Sequence, residues 1–298
     1  MTHIEHKQRW GARQRLEFID FSSYWEGGIN RSNIMNQFRV SGQQASTDLT
    51  DYQKLAPMNL RYDLRSKRYE ATESFECRLT KPDADRYLGQ LNALTARLVD
   101  PEDTWLGNAP VTDLIPVPTR RVDPEILRSI LKAIRSENSI EIQYQSLSSA
   151  TVDAVWRRIT PHAFASDGFR WHTRAFCHRD NRFKDFLLSR CRDTRGEDAP
   201  GSDRSNDEQW ATYFGVELVP NPKLTEWEQK AIELDYGMFN GRVVLQIRKA
   251  LLYYFDKRFQ TELASHRFQK SNEDPKARPI AIANLDAYEE ALGRPAST

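Results

Sequence analysis

The stretch DGFRWHTRAFCHRDNRFKDFLLSRC, residues 167–191, alternates like a strand and places Arg170, His172 and Arg174 on one face, followed by Phe176 and His178. Guanidinium and imidazole groups in a row can hold an anion, Arg as a two-pronged fork on phosphate. They could also support acid–base cleavage of a phosphodiester, but the carboxylate pair that would hold a metal for such a reaction is missing. Like charges set side by side repel, so a folded row of this kind needs acids or a bound anion to compensate. The nearby acids, Asp167, Asp180 and Asp185, fall near turns and look too few. The expectation is an anionic ligand, a nucleotide or short nucleic acid. The competing reading is a salt-bridge network of ordinary surface arginines.

Other chemistry is not indicated. Cys177 and His178 are adjacent, but alternation sends them to opposite faces, and no second pair with zinc-ligand spacing accompanies them. There is no P-loop, no G-x-G-x-x-G after a strand, no G-x-S-x-G and no H-E-x-x-H. The chain is expected to be no enzyme and to carry neither metal nor cofactor.

The row needs a sheet to hold it. With period two, Phe169, Trp171, Thr173, Ala175 and Cys177 share the other face and are apolar enough for a core. VWRRITPHAFA, the turn SDG and FRWHTRAFCH read as a hairpin, bringing Arg158 and His162 near the row. RFKDFLLSRCRDTR is the expected last strand and adds Ser189 and Arg190. Before the hairpin, VDPEILRSILKAIRSEN is an amphipathic helix. IEIQYQSLS follows as a strand with Ile140, Ile142, Tyr144 and Ser146 on one side. One helix and several short strands in about eighty residues suggest a strongly bent sheet or SH3-like barrel.

The N-terminal block has a different design. RWGARQRLEFIDFSSYW is helical, with Trp10, Leu16, Phe18, Ile19 and Phe21 inward, and Gly27–Gly28 end it. INRSNIMNQFRV is a short second helix. Ser41, followed three residues later by Gln44, has the spacing of a capping box and starts a third helix. Ala45, Leu49, Tyr52 and Leu55 form its inner face. Its outer face carries Gln43, Ser46, Thr47, Thr50 and Lys54, a hydrogen-bonding surface suited to base edges in a major groove. NLRYDLRSKRYEAT is a hairpin whose Arg65, Lys67 and Arg68 would reach phosphates as a wing does. Arg31, Ser32 and Gln44 complete the expected DNA contacts. A three-helix bundle with a hairpin and no DNA is the plainer alternative.

Net charge is +1 over 298 residues, but residues 119–195 hold 15 Lys and Arg against 9 Asp and Glu, while the last 103 hold 13 against 17. Nothing reads as a signal peptide or membrane span, and three scattered cysteines suit a reducing cytoplasm. After DTRGEDAPGSDRSNDEQW, expected to be a loop, the C-terminal third alternates strand and helix as an acidic α+β unit. Leu251–Phe255 would be a helix buried in a core or between subunits.

GFRWHTRAFC followed by RFKDFLLSR resembles the signature of the WYL domain, although only Trp171 of the Trp-Tyr-Leu run is present. RWH-x-RA-F-C, preceded by Arg158-Ile159-Thr160-Pro161-His162, resembles a subgroup of WYL-domain transcriptional repressors found beside BREX and CBASS phage-defence systems. The resemblance implies an α+β protein: a winged helix-turn-helix at 1–75, a helical linker at 76–120, an Sm- or SH3-like WYL barrel at 121–200 and a dimerising extension at 201–298. It implies a homodimer on an inverted repeat of double-stranded DNA, repressing a phage-defence operon. It also implies a nucleotide or nucleic-acid ligand in the barrel, with Tyr144, Ser146, Arg158, His162, His172, Arg174, Ser189 and Arg190 as pocket residues. An RNA- or nucleotide-binding effector with the barrel as its working site is the alternative function.

Overall fold

A computed structural model describes residues 3–118, 120–147, 153–259, 263 and 274–293, with side chains from residue 11 onward, so the inward placement of Trp10 lies outside the described residues. The chain forms two compact units, Met1–Pro116 and Val117–Thr298.

The first unit opens with α1 (His3–Glu26), α2 (Arg31–Phe38) and α3 (Gly42–Leu55). Gly27 and Gly28 end α1. At Gly28 φ is +154° and a Cβ would lie 2.3 Å from the Tyr69 carbonyl oxygen, so only glycine fits. Gly28 and Ile29 form β1 (Gly28–Ile29), which pairs with β3 (Arg68–Ala71) of the hairpin it makes with β2 (Leu60–Asp63), in the order β1-β3-β2. Asn30 and Asn33 cap α2 reciprocally, and Arg39 in left-handed geometry stops it. Ser41 caps α3 by accepting from the Gln44 amide at 3.1 Å. The expected return bond of a capping box does not form, because the Gln44 side chain goes to Asp48 instead. Phe18, Ile19, Ile34, Ala45, Leu49 and Tyr52 fill the core. Leu55, expected inward, is 49% exposed because α3 ends there.

Residues 76–106 are more than a linker. α4 (Ala84–Thr95) starts on an Asp83 cap, and Leu91 and Leu106 are buried with Phe21 of α1. Irregular, exposed chain begins only near Gly107.

The second unit begins with α5 (Pro124–Ser136), which buries Ile126, Ile130 and Ala133 against a five-stranded antiparallel sheet. Its strands are β4 (Ser139–Tyr144), β5 (Val155–Ser166), β6 (Trp171–Cys177), β7 (Arg182–Leu187) and β8 (Cys191–Asp198), in the order β7-β6-β5-β4-β8. Among the described residues no ladder joins β7 to β8. The single last strand expected from RFKDFLLSRCRDTR is two strands, broken by a 3-10 turn at Leu188–Arg190 that buries Leu188. The expected loop from Asp193 is also corrected. Its first six residues continue β8, paired with β4 through Asp198.

The C-terminal part has α6 (Glu208–Ala211), β9 (Tyr213–Pro220), α7 (Glu226–Asp235), β10 (Val243–Arg248), α8 (Leu252–Phe259), β11 (Ile280–Ile282) and α9 (Leu285–Ala291). β10, β9 and β11 form one antiparallel sheet. α8 buries Leu252 and Phe255 in this unit's core and turns Tyr254 to the central sheet, so the stretch is only half-buried within the chain. No helix among the described residues is long and apolar enough to cross a membrane.

Candidate DNA-reading surface and anion cleft

α3 presents Gln43, Thr47, Thr50 and Lys54 to solvent, with Ser46 half-exposed. The helix is held from beneath. Asp48, buried, accepts from Arg15 of α1 at 2.6 and 3.2 Å and from Gln44 Nε2 at 3.0 Å. Tyr52 donates to Asp20 at 2.5 Å, and Asn59 donates to the Tyr52 hydroxyl at 3.0 Å. Asp20 also takes the amides of Arg78, Leu79 and Thr80, tying the segment after the hairpin to α1. Burial alone would raise the Asp20 carboxyl, but the bonds from Tyr52, Thr80 and Arg78 outweigh it and hold it below its ordinary value. Burial first, and then Asp20, push the Tyr52 phenol well up.

At the wing tip, Asp63 accepts the amides of Arg65 and Ser66 at 3.1 and 3.0 Å, and Lys67 turns the chain at φ 52°. Arg65 and Lys67 point into solvent. Arg68 does not belong with them. Its Nη2 donates to the Glu26 and Gly28 carbonyls at 2.7 and 2.6 Å, so it locks β1 to the hairpin. Ser32 is likewise occupied, donating to Asn30 Oδ1 at 2.5 Å. Arg31 is exposed beside Gly42 at the start of α3.

The basic row in the central sheet is buried, not open. His172 and Arg174 are 4% and 6% exposed, whereas Trp171, expected in the core, is 57% exposed. Thr173, Ala175 and Cys177 do face the core. Arg174 forks onto Asp207 and also reaches Asp185 Oδ2 at 3.3 Å. His162, at a bulge in β5, bonds Asp207 at 3.0 Å. The Tyr254 hydroxyl donates to Asp185 at 3.2 Å, and its ring lies 4.6 Å from that of His172. Burial above all, then Arg174, act on Asp207 in opposite directions, and the net effect holds its carboxyl low. Burial raises Asp185 despite Arg174. Burial pushes the His172 imidazole down to about 4 and lowers His162 and His178 too.

The expectation that local acids are too few is therefore corrected: the compensating carboxylate, Asp207, comes from the supposed loop. Arg174 and His162 are consumed by it. Tyr144 is a core residue, edge-on to Phe186, its hydroxyl accepting the Leu187 amide. Arg158 sits on the β4 and β8 side with Glu141 at 3.7 Å, Ser139 at 3.2 Å and the Gly196 carbonyl at 3.3 Å. Ser146 is half-buried beyond the end of β4. Cys177 is buried in the core while His178 bonds Thr160 on the opposite face, so the two do not converge on a metal.

Two expected residues, Ser189 and Arg190, line an open cleft of about 340 Å³ together with Arg120, Arg121, Arg170 and Leu187. Of its four arginines only Arg170 has an ion pair among the described residues, to Asp167 at 2.8 Å. Arg120 reaches only the Phe169 carbonyl, at 3.5 Å. His172 lies next to this cleft, opposite Leu187 in the β6–β7 register. Arg120 and Arg121 were not singled out from the sequence. The doublet itself, just ahead of α5, was the available signal.

Comparison with known proteins agrees with this architecture. Residues 11–93 match the BrxR transcriptional regulator winged helix-turn-helix domain, residues 125–195 the WYL domain, and residues 213–288 the BrxR transcriptional regulator C-terminal dimerization domain. The DNA-binding transcriptional repressor CapW of Escherichia coli (strain KTE188) is 38% identical, aligned over 93% of this chain and 91% of its own. CapW of Pseudomonas aeruginosa is 38% identical over 95% and 93%, and CapW of Stenotrophomonas maltophilia 39% over 83% of each. With a winged helix, a WYL sheet and a C-terminal α+β unit in that order, the chain belongs to the BrxR/CapW family of DNA-binding transcriptional repressors.

Proposed function

We propose that this repressor acts as a homodimer on an inverted-repeat operator, controls a phage-defence operon and responds to an anionic ligand held by its central domain. The ligand is a nucleotide or a short nucleic acid. The observation that carries the ligand reading is the cleft of Arg120, Arg121, Arg170 and Arg190 around Ser189, where guanidinium groups converge without a matching set of carboxylates. Such forks suit phosphate oxygens, and the volume falls at the small end of ligand pockets. In this reading Gln43, Gln44, Ser46, Thr47 and Thr50 face base edges, and Arg31, Arg65 and Lys67 hold phosphates. Large apolar side chains left exposed on the C-terminal unit, Trp227, Leu234 and Phe239, support self-association there. Two-fold symmetry would then set half-sites about one or two helical turns apart.

The test is a gel shift on DNA upstream of the protein's own gene, with mononucleotides, dinucleotides and short oligonucleotides added in turn. A discrete shift altered by one of these anions supports the reading. A shift indifferent to all of them removes the ligand proposal and leaves the repressor. A protein that binds RNA tightly and its upstream DNA not at all would instead support the effector reading.

A further inference from the structure

We infer that α3 reads its operator as a surface of hydrogen-bond acceptors, selecting the exocyclic amino groups of adenine and cytosine in the major groove. This rests on the reading of α3 as the base-reading helix and adds what that helix selects.

The reason is where its hydrogens already go. Ser46 Oγ lies 2.9 Å from the Gly42 carbonyl, Thr47 Oγ1 3.0 Å from that of Gln43, and Thr50 Oγ1 2.9 Å from that of Ser46. A carbonyl oxygen only accepts, so each hydroxyl hydrogen is directed back along the helix and each oxygen keeps only lone pairs for a ligand. Gln44 is fixed by the same logic. Its terminal group faces Asp48 Oδ1 at 3.0 Å, and a carboxylate only accepts, so the amide nitrogen is turned inward. Asp48 cannot turn away, because Arg15 holds both of its oxygens. Gln44 Oε1 takes part in no hydrogen bond among the described residues, so an acceptor is free there, while its amide nitrogen keeps one N–H beyond the bond to Asp48. Gln43 is the exception. It is exposed, its amide is engaged by no described group, and it can bond an adenine edge through both N6 and N7.

The groove supplies the complement. Adenine N6 and cytosine N4 are its only base-edge donors, and guanine offers two acceptors, O6 and N7, which this face meets poorly. For a hydroxyl to serve guanine it would have to give up its bond to the helix. Thr47 and Thr50 also carry methyl groups that can contact a thymine methyl, so A·T pairs satisfy both properties of the surface.

The experiment selects an operator from randomised duplexes with the full-length protein and then substitutes base analogues one at a time. 7-Deazaadenine and 7-deazaguanine remove the N7 acceptor. N6-methyladenine and N4-methylcytosine place a methyl where the groove-facing amino hydrogen was. The deaza substitutions should change Kd by no more than about twofold except at the pair read by Gln43, while a methylated amine in the half-site should weaken binding about tenfold, the size of one base contact. Thr47→Val keeps the shape and drops the oxygen, so it should abolish the methylation penalty at its own pair. Tenfold losses on N7 removal at several positions, with methylated amines tolerated, would overturn the inference while leaving α3 as the reader. If Gln43→Ala and Thr47→Val select the same sequence as the parent, the reader assignment falls and the inference falls with it.

Discussion

Arg174 and Asp207, 33 positions apart, meet in a two-bond fork, Nε 2.7 Å from Oδ2 and Nη2 2.9 Å from Oδ1, with both side chains almost wholly buried. The fork gives the basic row of β6 a structural purpose at one end. It fastens residues 201–211, and through Asp207 the start of α6, to the central sheet. At the other end of the row, Arg170 lines the open cleft with Arg120, Arg121 and Arg190.

Removing the carboxylate should therefore be severe. Among the described residues, Asp207→Ala leaves the buried Arg174 guanidinium only its 3.3 Å contact with Asp185 and takes the acceptor from His162, and losing one partner of such a pair costs about 3 kcal/mol. A lower urea midpoint with an unchanged slope is the expected result. Arg174→Ala should destabilise by a similar amount, since Asp207 and Asp185 would lose the cation they share, although the bonds from His162 and Tyr254 remain. A stability loss below about 1 kcal/mol in both variants would show the fork to be dispensable.

His172 predicts how stability changes with pH. Burial lowers its folded value from 6.5 to about 4, so the folded protein keeps the ring neutral while the unfolded chain takes up a proton below about 6.5. Its contribution is complete above that pH and is lost as pH falls toward 4, about 2 kcal/mol between pH 7 and pH 5. His162 and His178 are lowered as well and act in the same direction. Asp207, held low, contributes above the ordinary carboxylate range and loses that contribution only in stronger acid. Asp185, raised, works the other way. His172→Gln should flatten the fall between pH 7 and 5 without removing it. An unchanged pH profile in that variant would mean the ring is not buried neutral.

The same residues show what the sequence made legible. Ser41 announces its helix start because a cap is a local contact, made within three residues. The period-two and helical patterns likewise placed β4, β5, β6, α3 and α5. Asp207 gave no such sign. It lies in a polar Gly/Pro/Ser-bearing segment, and its partner is fixed only by tertiary folding. Alternation alone could not tell a buried basic face from an open one, because an ion-paired arginine and a solvated one have the same letter. Arg68 misled for a related reason. A wing-tip arginine looks like a phosphate ligand until the carbonyls of Glu26 and Gly28 turn out to lie within its reach.

The cleft yields a prediction that separates binding from folding. Arg121→Ala and Arg190→Ala each remove a cation with no ion pair among the described residues, so the melting temperature should stay within about 1–2 °C of the parent. Each should weaken the stabilisation by an anionic ligand at least tenfold in concentration, while operator affinity without ligand stays the same. Full ligand response in the double variant would place the anion elsewhere.

The wing and α3 should fail in different ways on DNA. Lys67 extends into solvent from a tip shaped by Asp63, so Lys67→Ala should weaken all sequences alike and reduce the slope of log K against log salt by about one unit. Gln43→Ala should leave that slope unchanged and erode the preference for operator over random DNA, by about 1–3 kcal/mol at one base pair. Arg68→Ala provides the internal control. Its guanidinium is committed to two carbonyls, so the slope should hold while the domain loses stability and β1 loosens from the hairpin. Gel shifts at several salt concentrations, on operator and on scrambled DNA, read all three. Should Arg68→Ala lower the slope as Lys67→Ala does, Arg68 would have to leave its carbonyls to meet phosphate, and the wing would not be locked to β1.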